Sequence, residues 1–151
     1  MTTEIISVAE IKNGLLEGIK AYITIESLPL PRTFQPVVEA FWEAARKIHP
    51  ALRIPKRVVV VFATTPFRLT LSNGELSFAL SAGVVNACVE DMIFLDCNQI
   101  RSYDFSVQVA SILEELVHVL MNIGDEVLVK RVVANLYDGI EYVNDQYRPR
   151  T

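Results

Sequence analysis

The sequence predicts an α+β fold with its helices and strands segregated along the chain, on three observations. Apolar residues recur at three- and four-residue steps near both ends. The middle instead carries a β-branched run, Arg57 to Phe62, bounded by Pro55 and Pro66. Asn73-Gly74 then separates two short strand candidates, and both residues tolerate the positive φ that a tight hairpin turn needs.

Val8, Ile11, Leu15, Ile19 and Tyr22 place an amphipathic helix over about residues 7 to 24, stopped by the stiff connector Leu28-Pro29-Leu30-Pro31. Val37, Val38, Phe41, Ala44, Ala45 and Ile48 form the inner face of a second helix, which His49-Pro50 ends. Strands follow at Arg57 to Phe62, Phe67 to Leu71, Glu75 to Leu80 and Met92 to Asp96, giving a small, mostly antiparallel sheet. Phe105 to Ile123 is a third helix, with Asp104 or Ser102 as its cap and Gly124 placed to end it. Asp125 and Glu126 open a fourth, running to about Val143, where carboxylates favour the positive end of the helix dipole. Residues 144–151 read as a tail, and the whole of 1–151 as one domain.

Composition narrows the function classes. The chain has 151 residues, 51% hydrophobic and 21% charged, so it can bury a core. Its net charge is -4, and no Lys/Arg cluster forms the footprint nucleic acid requires. Apolar runs such as Val58 to Ala63 are far below the roughly 20 residues that cross a bilayer. The N-terminus lacks the basic-then-apolar order of a signal peptide, so the expectation is a cytoplasmic protein. Cys88 and Cys97 fit no metal-type spacing and read as buried or incidental thiols in a reducing compartment.

The third helix carries the chemistry. On a wheel, Gln108, Ser111, Glu114, Glu115, His118 and Asn122 fall in one sector about 120° wide, and apolar residues fill nearly all the rest. This strip, expected to be exposed, has two carboxylates and an imidazole but no Lys or Arg. Glu114 and His118 are four apart, so they leave one helix face a turn apart and can grip one cation. Glu115 lies beside them as a candidate general base, and Glu126 or Asp125 is placed to add a third ligand. The ordinary alternatives are a His118 paired with a neighbouring glutamate and a Glu126 paired with Lys130. A di-iron bundle would need a second Glu-x-x-His copy, which the chain lacks.

Glu114-Glu115-Leu116-Val117-His118 resembles the His-Glu-x-x-His helix of the zincin metallopeptidases, with Glu114 standing at the first ligand position. The order of elements from about Val58 to Val143 is also similar to a zincin. The resemblance implies a zincin-like fold with Glu114, His118 and Glu126 (or Asp125) holding zinc or another divalent metal. It implies Glu115 as the base and a peptide lying along Met92 to Asp96 as the edge strand. Replacing an imidazole by a carboxylate shifts the ligand set toward Mn, Fe(II), Mg or Ca. Two functions therefore stay open: a metal-dependent peptide hydrolase, or a non-catalytic binding or regulatory module that keeps the fold without metal.

Overall fold

Residues 7 to 24 carry one apolar stripe but fold as two short helices and the start of a strand. The computed structural model describes residues 3–53, 56–64, 67–71, 74–78 and 86–151. After the two-residue strand β1 (Ile5–Ile6), Ser7 caps α1 (Val8–Asn13) by accepting from the Glu10 amide, and Glu10 returns the bond to Ser7. Trp42 donates its indole N–H to the Ile11 carbonyl at 2.8 Å and so lies across the end of α1. A Cβ on Gly14 would meet that ring at 1.9 Å, so only glycine fits there. Leu16 is extended, and α2 (Glu17–Lys20) begins after it. The helix expected over 7–24 is thus interrupted at 14–16.

Ile23–Ser27 is a strand, β2, with Ile23 and Ile25 buried and Thr24 and Glu26 exposed. Its two-residue alternation is masked because Ile19 and Ile23 continue the four-residue spacing of the preceding helix. Within the expected connector, Leu30–Pro31 forms β3 and pairs antiparallel with β1. Helix α3 (Gln35–Ile48) buries all six predicted residues, together with Ala40, and continues as a 3₁₀ turn through Pro50.

Next come β4 (Val58–Ala63), β5 (Phe67–Leu71), β6 (Gly74–Phe78), β7 (Asn86–Val89) and β8 (Met92–Asp96). Strands β5 and β6 pair antiparallel as the hairpin signal predicts; Asn73, and residues 79 and 80 of the expected second strand, lie outside the described residues. The central sheet has the order β2-β4-β8-β7. Pairs β2–β4 and β4–β8 are parallel and only β7–β8 is antiparallel, so the expectation of a mostly antiparallel sheet is corrected. For the β2–β4 pair the reason is β2 itself, since a strand ahead of α3 turns α3 into the crossover that parallel pairing requires. The strand expected at the edge, β8, lies inside the sheet, and β7 takes the edge. The fold remains a mixed α and β one.

The helix α4 (Cys97–Ile100) is capped by the Asp96 carboxylate. Then α5 (Phe105–Leu120) packs on α3 and against β7 and β8, with Val109, Leu113, Leu116 and Val117 fully buried. It ends at Leu120, and the left-handed residue after it is Asn122, with φ 53°, rather than the Gly124 that the sequence predicts. Asn occupies that region at lower cost than other residues with a Cβ.

Helix α6 (Glu126–Leu136) stops seven residues short of its expected end. Residues 140–149 form a hairpin of β9 (Ile140–Val143) and β10 (Gln146–Pro149), so the expected tail is in fact paired structure. Asn144 and Asp145 have φ of 52° and 59°, as a two-residue type I′ turn requires. Val129, Val133, Leu136 and Ile140 keep a helical spacing through the junction, which hides the change. Among the described residues no helix is long and apolar enough to cross a membrane.

Candidate metal centre

The site begins with the hydrophobicity of α5. Because most of its circumference packs into the core, its polar strip has a fixed direction, and other elements close over it. The strip is not the open face expected from the wheel. Gln108 is buried, Ser111, Glu114, Glu115 and His118 are half-buried, and Asn122 alone is exposed. Strand β7 covers one side, and β10 reaches the other.

Glu114 and His118 sit one turn apart, and the tight 121–125 connector brings the start of α6 back beside them. His118 Nδ1 lies 2.8 Å from the Ile123 carbonyl oxygen. A carbonyl only accepts, so Nδ1 carries the hydrogen and donates it. This leaves Nε2 facing Glu126, whose carboxylate is 3.5 Å away. Ligand atoms of Glu114, His118 and Glu126 all lie within 4.8 Å of one another. Ligands around a tetrahedral ion stand about 3.4 Å apart, given metal–ligand distances near 2.1 Å. Glu126, with its side chain 65% accessible, has the freedom to close that gap.

Asp125, the other expected third ligand, is used elsewhere. Its Oδ1 accepts from the Leu128 amide at 2.7 Å and caps α6. Among the described residues Glu126 pairs with His118 and not with Lys130.

Glu115 lies beside Cys88 of β7, and both line the same cavity. Burial raises the Glu115 pKa above its ordinary value; the neighbouring Cys88 and His118 oppose that, while Glu114 and Glu126 add to it. Desolvation, and then the Glu115 charge, push the Cys88 thiol up to about 11. A cavity of about 390 Å³ opens between β7 and the α5–α6 turn, lined among others by Asn86, Cys88, Glu114, Glu115, His118 and Glu126. Asn86 donates to Ser111 at 2.8 Å, while its buried Oδ1 has no partner among the described residues.

Two participants belong to no motif in the sequence. Cys88 reads as incidental until β7 is placed against α5. Tyr147 belongs to the segment read as a tail, yet its hydroxyl donates to Glu114 Oε2 at 2.5 Å. Burial first, and the Glu114 charge second, raise the pKa of that phenol, so it stays a donor. The alternation of β10 behind Asn144-Asp145 is the only mark that would have found it.

The arrangement offers one imidazole nitrogen and two carboxylates, and among the described residues no Lys or Arg pairs with Glu114 or Glu115. Such a donor set suits a divalent cation of intermediate softness. Comparison with known proteins finds no matching family model, no similar curated sequence and no similar solved structure.

Proposed function

We propose that this chain is a zincin-like, divalent-metal-dependent peptide hydrolase, with Glu114, His118 and Glu126 as metal ligands and Glu115 as the general base. The observation that carries this is the convergence of those three ligand groups within 4.8 Å, beside a third carboxylate, Glu115, whose proton affinity is raised. A fixed acceptor for the Nδ1 hydrogen, as the Ile123 carbonyl provides for His118, is the usual companion of an Nε2 metal ligand.

A divalent ion, when bound, supplies Lewis-acid polarisation of the carbonyl and makes a water more acidic. Glu115 takes the proton from the attacking water as its oxygen bonds to the peptide carbonyl carbon. It then returns that proton to the departing amine nitrogen, so the C–N bond breaks without a free anion. A carboxylate with a raised pKa suits both halves of this transfer. The extended substrate runs along β7, whose only partner strand among the described residues is β8, and binds there through main-chain hydrogen bonds.

The test is hydrolysis of a peptide library by protein purified without a nickel column. Activity that Glu115→Gln abolishes while metal content is retained is the expected result. A competing reading is a non-catalytic module that keeps this fold without metal. It is favoured by the bond that Tyr147 already makes to Glu114, which ties up one carboxylate oxygen without metal. Metal-free protein whose library stays intact after adding zinc or manganese would establish that second reading.

A further inference from the structure

The two carboxylates of the centre are held differently. Glu126 is the exposed member, and its partner is the His118 ring. Glu114 is half-buried, and its Oε2 accepts the Tyr147 hydroxyl from 33 residues away. Among the described residues Oε1 has no protein partner. The donor is itself fixed: the Tyr147 ring packs against Tyr142 across the hairpin, with centroids 5.9 Å apart, and β10 lies on α5.

A carboxylate with one oxygen tied to a phenol offers the other oxygen singly. Calcium takes six to eight oxygens and readily uses both atoms of a carboxylate. Zinc and manganese accept a single carboxylate oxygen and gain from an imidazole nitrogen. We infer that Tyr147 is a positioning residue that holds Glu114 for one-oxygen coordination and thereby biases the centre toward zinc or manganese over calcium. The inference rests on the metal reading above and adds the class of ion. It also makes the C-terminal hairpin part of the centre.

The experiment is titration of the metal-free full chain with zinc and, separately, with calcium, for wild type, Tyr147→Phe and Tyr142→Phe. The readout is the ratio of the two affinities, which a general loss of stability does not move. Tyr147→Phe is expected to weaken zinc about tenfold, the lower range for loss of an outer hydrogen bond, and to narrow the ratio accordingly. Tyr142→Phe removes a hydroxyl that bonds Asp145 in the same hairpin and is expected to leave the ratio unchanged. An unchanged ratio in Tyr147→Phe, or an equal fall in Tyr142→Phe, overturns the inference while the metal reading stands. Wild-type preference for calcium does the same, and wild-type failure to bind either ion sinks both. If Tyr147→Phe does not fold, the infrared spectrum of wild-type protein with zinc decides. A wide separation of the two carboxylate stretches supports single-oxygen coordination, and a narrow one alone overturns it.

Discussion

The Nδ1 of His118 lies 2.8 Å from the carbonyl oxygen of Ile123, so the turn that starts α6 also fixes the imidazole of α5. One connector thus does two things. It orients His118, and it delivers Glu126 to that ring. The connector depends on Asn122, whose φ of 53° a residue with a Cβ adopts at some cost. Asn122→Ala should destabilise the chain by about 1 kcal/mol, within the range for a non-glycine residue held in this region. Urea unfolding checks this, and the same variant should bind metal more weakly because Ile123 and Glu126 shift together.

Glu115 gives a pH signature. Its folded pKa is raised above the ordinary value of 4.5, so folding favours the protonated form. The stability it contributes is present below that ordinary value and is lost as pH rises through the folded pKa. Glu115→Gln, which keeps the size and shape of the side chain without its charge, should therefore melt higher than wild type at pH 7 in the absence of metal. At pH 4 the two should melt nearly together. A variant that melts lower at both pH values would show that the Glu115 charge is compensated in the fold.

Cys88 should be slow to alkylate although it is exposed. A thiol moved from 9.0 to about 11 has roughly a hundredfold less thiolate at pH 8. Iodoacetamide labelling followed by mass spectrometry should show this, with Glu115→Gln speeding the reaction several-fold. Cys97, buried and pushed up to about 12, should label only on unfolding.

The C-terminal hairpin can be strengthened by its own turn chemistry. Asp145 has φ 59°, and Asn-Gly is the preferred pair for a type I′ turn. Asp145→Gly removes left-handed strain but adds freedom to the unfolded chain, and it gives up the Tyr142 bond. The expected net effect is within about 0.5 kcal/mol of zero. Asp145→Val, a β-branched residue at the same φ, should cost about 1–3 kcal/mol. Equal unfolding midpoints for the two variants would contradict the turn assignment.

What was legible in the sequence was local. Glu114 and His118 could be paired because a helix places residues four apart on one face, whatever surrounds it. Glu126 was legible as far as the chain reverses shortly after α5, though choosing it over Asp125 needed the cap that Asp125 makes. Cys88 and Tyr147 were not legible, since they reach the site by sheet pairing and hairpin packing over long separations. Strands β2 and β9 were hidden for one shared reason. Each follows a helix whose apolar spacing runs on by one residue, at Ile23 and at Ile140, so the shift to a two-residue period has no visible start. Without β2 the parallel β2–β4 pair and the crossover role of α3 are hidden as well.

The most direct measurement of a metal centre at Glu114, His118 and Glu126 is the melting temperature of the metal-free full chain with and without added zinc or manganese. A ligand that binds only the folded state must raise it, by about 2.7 kcal/mol of stability at a hundredfold excess over the dissociation constant. A metal centre predicts a clear rise with one equivalent bound, abolished by His118→Ala and by Glu114→Ala. A melting temperature that neither ion moves, in protein shown to be folded, would contradict it.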